Sequence, residues 1–329
     1  MNDHFMEIAM DYIFCARNTT QGKFGSNPGQ TKFLKVPPTA ASHTPAMAIS
    51  RPDWFKTVID IAKTSTSATG KPVGDVLIYI HGYNNALQTV LARHRLIRKG
   101  LESFGYKGAV VSFDWPCGDT ALNYLEDRVD ARLTALRLVT DAVTAFGRIQ
   151  STDCMISTHV LAHSMGAFVL REAFDDADDR PALVQQGWTL SQVMLAGGDV
   201  SANSMGASEV SASLYRHCIR LTNYSNPYDA ALSISNAKRL GVSPRVGRVG
   251  LPANSPTKAV NVDVGTHYDE DREDFAGIPN ADHAFYFSSN RVLQDVYLTI
   301  QGEIDRAALP TRFADGSGKL HLKPKSMKV

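Results

Sequence analysis

HVLAHSMGAFVLREAFD, residues 159–175, is the stretch on which the reading of the chain turns. An apolar run ends at Ala162, the turn-like His163-Ser164-Met165-Gly166 follows, and AFVLREAF then sets apolar residues at helical spacing. Strand, sharp turn carrying a serine, then helix is the form of a nucleophile elbow, whose turn holds the serine in a strained conformation with its hydroxyl projecting from the strand end. Crowding there demands small residues two before and two after the serine, and Ala162 and Gly166 fill those places. The pattern alone is weak, because Ala202-Asn203-Ser204-Met205-Gly206 repeats it. Context separates the two: the loop-like GGDVS precedes Ser204, and no strand runs into it. Ser164 is the predicted nucleophile.

Outward from the elbow, short β-rich runs alternate with helix-length segments. The strands expected are 76–80, 109–113, 158–162, 192–196, 218–224 and 259–264, and the helices 86–103, 121–148, 165–175 and 289–305. Unbroken apolar strands suit a sheet covered on both faces. The alternation predicts an α/β fold, a mostly parallel central sheet with helices on both faces and the strand C-terminal ends along one edge. DYIFCAR (11–17) reads as an outer strand, the Gly-, Pro-, Thr- and Ser-rich residues 18–53 as an irregular wrap, and 52–63 as a helix. The chain is read as one domain: an N-terminal extension (1–75), a core (76–308) and a basic C-terminal tail (309–329), whose end KLHLKPKSMKV (319–329) reads as frayed and solvated.

A serine hydroxyl needs a base to take its proton, and a carboxylate to orient that base. In elbow enzymes the chain order is Ser, then Asp or Glu, then His. Two aspartates follow strands downstream of Ser164: Asp199 after QVMLAGG and Asp229 in SNPYDAAL. Counting strands favours Asp229; the bland alternative for either is a helix N-cap. Two histidines follow the last strand, His267 beside the acidic run YDEDRED and His283 before the aromatic cluster Phe285-Tyr286-Phe287. His283 is preferred, since those aromatics can anchor its loop. His163 adjoins the nucleophile and is read as a supporting or structural residue. The acidic run lacks the ordered spacing of an EF-hand loop and reads as a solvated loop.

VLIYIHGYNNAL (76–87) is the second strong motif. In this architecture the loop after such a strand supplies one backbone N–H to the oxyanion, and the residue after the nucleophile supplies the other. Those donors are Tyr83 and Met165, with Asn84 and His81 as possible supports of the loop. Fixed donors of this kind are worth ~3 kcal/mol each in other enzymes.

Composition sets the bounds. The chain has 329 residues, 43% hydrophobic and 20% charged, with formal net charge +1. That charge gives no general attraction to nucleic acid or an anionic membrane. No apolar run approaches the ~20 residues of a membrane span, and the N-terminus lacks the basic lead and apolar centre of a signal peptide. Cys15, Cys117, Cys154 and Cys218 have no metal-ligand spacing and read as free thiols. A cytoplasmic enzyme is expected, the even cysteine count keeping a periplasmic one open, and nothing in the composition fixes the oligomeric state.

With both motifs in place, the chain resembles an α/β-hydrolase, and most closely a bacterial esterase/lipase-like family catalogued mainly as a domain of unknown function. IHGYNNAL, VVSFDWP, HVLAHSMG, LAGGDV, SNPYDAAL and ADHAFYF carry the resemblance, over about residues 76–290. Ala162 stands where many relatives of the wider fold carry Gly. The resemblance implies Ser164, Asp229 and His283 as a triad, a small-molecule ester as substrate, and no cofactor. Alternatives sharing the machinery are a thioesterase, amidase, peptidase or acyltransferase, or a lipase covered by residues 117–130; another is a non-catalytic scaffold.

Overall fold

A computed structural model describes residues 10–117, 124–149, 155–237 and 243–329. They fall into two units. The first comprises Met1–Arg95, Lys107–Leu161 and Val169–Leu190, and the second Leu96–Tyr106, Ala162–Phe168 and Ser191–Val329.

In the first unit the strands are β1 (Asp11–Thr20), β2 (Lys23–Val36), β3 (Ala48–Ile49), β4 (Lys63–Thr66), β5 (Pro72–Ile80), β6 (Ala109–Asp114) and most of β7 (Met155–His163). They lie in the order β7-β5-β6-β1-β2-β3, with β4 beside β5. The pairs β5–β6 and β6–β1 are parallel, and β1–β2, β2–β3 and β4–β5 antiparallel. Val76 to Ile80 and residues 109–114 are buried, as unbroken apolar strands require. DYIFCAR is not an outer strand: it pairs with β6 on one side and β2 on the other. Nor do residues 18–53 simply wrap the surface, because β2 is a 14-residue strand. Its sequence concealed this. KFGSNPGQTKFLKV buries only Phe33, Leu34 and Val36, and Pro28 sits where the ladder shifts register opposite Arg17.

The helix α1 (Arg51–Ala62) starts on Ser50, which caps the Asp53 N–H. It buries Trp54 against Phe14 and Phe33, at centroid distances of 6.0 and 5.3 Å. The helix α2 (Leu87–Ser103) follows the IHGYN loop. The long helix expected over 121–148 is α3 (Tyr124–Arg137), a π-helical stretch at Leu138–Val143 and a short helix at Thr144–Ile149. Of the expected cover 117–130, residues 118–123 lie outside the described residues.

In the second unit, β8 (Leu190–Ala196), β9 (Cys218–Ser225), β10 (Ala259–Asp263), β11 (Arg312–Ala314) and β12 (Leu320–Leu322) lie in the order β8-β9-β10-β12-β11. The pairs β9–β10 and β10–β12 are parallel and β11–β12 antiparallel. The helices that matter to the site are α4 (Met165–Asp178), α5 (Ala230–Ala237), α6 (Gly265–Glu270) and α7 (Asn290–Gln301). The last ends at Gly302, whose φ of 66° makes a left-handed cap.

The C-terminal stretch is not a frayed tail. Arg312 is buried and its guanidinium meets Asp295 of α7 at 2.6 and 2.8 Å, while Tyr224 donates to the same carboxylate at 2.7 Å. Beyond β12, Lys325 pairs with Asp274 and donates its backbone N–H to Asp271, and Ser326 donates to Glu270. The acidic run is largely exposed, as expected, but it is not a loop: it is the end of helix α6 and a 3-10 turn, matched in charge by the chain's own basic end. Among the described residues no helix is long and apolar enough to cross a membrane. Cys15, Cys117 and Cys218 are buried free thiols, and Cys154 lies outside the described residues.

Candidate active site

Ser164 follows directly on β7 and has φ +55°, one of four non-glycine residues in the left-handed region among the described residues. Such a conformation costs of order 1–3 kcal/mol and persists only where the surroundings enforce it. Here they do. The Ser164 N–H donates to the Ala196 carbonyl at the end of β8, and its own carbonyl accepts from Asp199 and Ala167 N–H at 2.9 and 3.1 Å. Helix α4 starts at Met165, which is buried. Ser204 shows none of this. It sits in a 3-10 turn, donating to the Ser201 carbonyl at 2.8 Å and meeting the Ser211 hydroxyl at 3.0 Å.

The structure brings Asp229 and His283 together: Oδ2 lies 2.6 Å from the ring Nδ1. A carboxylate facing Nδ1 demands a proton there, which leaves Nε2 as the basic atom of the neutral ring. Asp229 is fully buried, and it also serves as the helix cap that the sequence offered as its bland alternative. Its Oδ1 accepts the Leu232 N–H of α5 at 2.9 Å, so one oxygen caps the helix while the other orients the histidine.

Residues the sequence did not single out fasten these two loops. Asp282 Oδ2 accepts the Ala230 N–H, and Asn226 Nδ2 donates to the Asp282 carbonyl, both at 2.7 Å. Arg248 Nη1 donates to the Asp229 carbonyl at 3.1 Å. Gly197, at φ +54°, admits the contact from below: a Cβ there would meet Tyr286 at 3.3 Å and Asp229 Oδ2 at 3.5 Å. None of these roles has a motif; each is a contact between segments remote in sequence.

His163 has a specific partner. Its Nε2–H donates to the His283 carbonyl at 2.8 Å, the two rings lie 4.7 Å apart, and Phe287 packs edge-on against it at 5.0 Å. The residue preceding Ser164 thereby holds the loop that carries His283.

The alternatives go elsewhere. Asp199 pairs with the buried Arg245, Nε to Oδ1 at 2.9 Å. His267 lies between Asp271, 2.8 Å from Nδ1, and Ser289, 2.6 Å from Nε2. Ser289 is itself the N-cap of α7, accepting from Val292 N–H. Burial, only partly offset by Asp271, lowers the His267 pKa, which fits a neutral ring tying α6 to α7.

His81, Tyr83 and Asn84 lie on the loop between β5 and α2 in the first unit. Asn84 is exposed and turns the chain at φ +54°, while the side chain that binds the loop is Asn85. His81 is buried against Asp114, whose carboxylate also takes Arg17, His43 and Cys15. The ligand atoms of Cys15, His43 and Asp114 lie within 4.8 Å of one another. Yet the Arg17 guanidinium already occupies the carboxylate, and burial together with Asp114 pushes the Cys15 thiol well up. Those residues fit a hydrogen-bonded cluster better than a cation site.

No curated protein matches the chain. Among solved structures it is similar to esterase B from Lactobacillus rhamnosis, at 12% identity over 74% of this chain and 87% of that one, with TM-score 0.37. A cutinase-like protein from Cryptococcus sp. is similar at 14% identity over 71% and 94%, with TM-score 0.33. Phospholipase PlaB from Legionella pneumophila, solved with thio-NAD, is similar at 13% identity over 70% and 61%, with TM-score 0.36. Residues 60–297 match the family described as "Alpha/beta hydrolase of unknown function (DUF900)", which is most of the chain and includes the elbow, Asp229 and His283; the protein belongs to that α/β-hydrolase family.

Proposed function

We propose that the protein is a serine hydrolase that cleaves small carboxylic esters through an acyl-enzyme. The observation that carries this reading is the Asp229–His283 pair at 2.6 Å, fastened to His163, the residue preceding a left-handed Ser164. Ser164 Oγ attacks the ester carbonyl carbon and gives its proton to His283 Nε2. The tetrahedral intermediate collapses, the C–O bond to the alcohol breaks, and His283 returns the proton to the leaving oxygen. Water, deprotonated by the same nitrogen, then adds to the acyl-enzyme and releases the acid and free Ser164. Asp229 holds the ring and stabilises its cation. The Met165 N–H, at the start of α4, is one oxyanion donor; Tyr83 is assigned the other on the sequence pattern alone.

A fluorophosphonate probe, followed by peptide mapping, tests the nucleophile. Labelling confined to Ser164 is expected, and folded protein left unlabelled there would end the reading. p-Nitrophenyl esters of increasing length, run beside thioester and amide substrates, read the substrate class.

The Asp282 contacts make a separate prediction. Asp282→Ala removes the acceptor for Ala230 N–H while leaving Asp229 and His283 in place. It is expected to cost about 1 kcal/mol in urea unfolding, as loss of a helix cap does. kcat should fall on the order of tenfold, because the two loops lose a tie that sets their spacing. Full turnover in the variant would show that the tie is structural only.

A further inference from the structure

LAGGDV (195–200) takes no part in the proton transfers, yet within the second unit its backbone grips the nucleophile. The Ala196 carbonyl accepts the Ser164 N–H at 3.0 Å, and the Asp199 N–H donates to the Ser164 carbonyl at 2.9 Å. The turn after β8 therefore holds the Ser164 residue by both its backbone groups.

A second segment of the same unit, Pro244 to Arg248, runs beside that turn. The Pro244 carbonyl accepts the Ala202 N–H at 2.8 Å, the Val246 N–H donates to the Val200 carbonyl at 2.9 Å, and the Gly247 N–H donates to the Gly198 carbonyl at 3.0 Å. Ser201 and Arg245 form an antiparallel bridge. Arg245 Nε meets Asp199 Oδ1 at 2.9 Å, and both side chains are buried.

The other side of this segment holds the acid loop. The Gly247 carbonyl accepts the Asn226 N–H at 2.8 Å, the Val246 carbonyl accepts Asn223 Nδ2 at 3.0 Å, and Arg248 Nη1 donates to the Asp229 carbonyl at 3.1 Å. Asn226 in turn donates to the carbonyl of Asp282, the residue before His283. At the ends of β8 and β9 the Gly197 N–H donates directly to the Tyr224 carbonyl at 3.2 Å. Beyond that bond, among the described residues, the backbone link from the Gly198–Val200 turn to the acid loop passes through Gly247, whose N–H serves one loop and whose carbonyl serves the other.

The fit at Gly247 is close. A Cβ there would lie 2.2 Å from the Gly197 carbonyl carbon and 2.3 Å from the Gly198 nitrogen, backbone atoms that cannot swing aside. Gly247 is not among the glycines with positive φ, so close approach is what demands glycine here. We propose that residues 244–248 are a strap that sets the spacing between the Ser164 turn and the loops carrying Asp229 and His283, with Gly247 as the bridge and Arg245 and Arg248 as anchors. The proposal rests on the serine-hydrolase reading. All three are positioning residues, since each acts through the backbone on which a triad member stands. Spacing matters because a displacement of about 1 Å among reacting groups costs about 10²-fold in rate.

Steady-state kinetics on a p-nitrophenyl ester, with urea unfolding beside them, test the strap in the full-length protein. Arg248→Ala removes one hydrogen bond from a half-buried side chain. It is expected to lower kcat on the order of tenfold, with KM within about threefold, since binding is not what the strap sets. Arg248→Lys keeps a donor and is expected to recover most of that loss. Gly247→Ala forces the two backbones apart and is expected to lower kcat about 10²-fold, the rate of fluorophosphonate labelling at Ser164 falling in proportion. Wild-type kcat in Arg248→Ala and in folded Gly247→Ala would make the segment a stability element and overturn the strap alone. Should Gly247→Ala not fold, wild-type kcat in Arg248→Ala is enough to overturn it. A wild-type protein whose Ser164 does not react with the probe overturns the hydrolase reading, and the strap's catalytic role with it.

Discussion

Ser164→Ala is expected to lower kcat about 10⁶-fold, the scale on which removal of a triad serine acts, and to abolish fluorophosphonate labelling. Without Oγ there is no acyl-enzyme, and what remains is water attacking a bound ester beside the oxyanion donors. A comparison of Ala with Gly at the same position adds a readout that catalysis cannot supply. Ser164 has φ +55°, a conformation that costs a residue with a Cβ ~1–2 kcal/mol. Ala keeps that Cβ and hence the strain. Gly removes the strain but gains ~0.5–1 kcal/mol of chain entropy in the unfolded state. The strain term is the larger, so Ser164→Gly should unfold at higher urea than Ser164→Ala, by roughly 0.5–1 kcal/mol, while both are inactive. Equal stability of the two would mean that the turn is not strained; more than about 1% of wild-type turnover in either would mean that Ser164 is not the nucleophile.

The elbow was legible because its signal is local. A β run, a serine between small residues and a helical pattern all lie within 17 residues, and the same is true of VLIYIHGYN. Asp229 and His283 were legible only as strand-end positions, each with a rival at a similar place. The structure separates the rivals by contacts with no counterpart in sequence spacing: Asp199 is drawn to Arg245, and His267 to Asp271 and Ser289. The fold misreadings have the same origin. β2 carries Gly, Pro and Asn because its exposed part is held by backbone hydrogen bonds to β1 and not by an apolar face, so periodicity gives no hint of it. Residues 319–329 looked frayed because their lysines are visible in the sequence, whereas the pairing of β12 with β10 and the acidic turn that receives Lys325 are not. Asp282, Asn226 and Arg248 were missed for that reason too: each acts on the backbone of a distant loop.

Asp229→Asn is expected to lower kcat about 10⁴-fold at neutral pH, the loss that follows when a triad histidine is held in the wrong tautomer. The two oxygens of Asp229 have different partners, and this decides how the amide would sit. Oδ1 accepts the Leu232 N–H at 2.9 Å and Oδ2 faces His283 Nδ1 at 2.6 Å, in a place with no access to water. Asparagine has one oxygen and one NH₂. Turning the NH₂ toward Leu232 would set donor against donor at the start of a helix, leaving a buried N–H unsatisfied at ~1–3 kcal/mol. The oxygen therefore stays with Leu232 and the NH₂ faces Nδ1. The imidazole answers by accepting at Nδ1 and carrying its proton on Nε2, the atom that receives the serine proton in the proposed mechanism. The fold should survive, since the cap and the Asp282 ties remain, and KM should stay within about threefold. Ser164→Ala with Asp229→Asn should be no slower than Ser164→Ala alone, because residues acting as one unit do not add. Near-UV circular dichroism and steady-state kinetics on the single and double variants check the set. A loss of tenfold or less in a folded Asp229→Asn protein would remove Asp229 from the triad and leave it as the helix cap that its other oxygen already is.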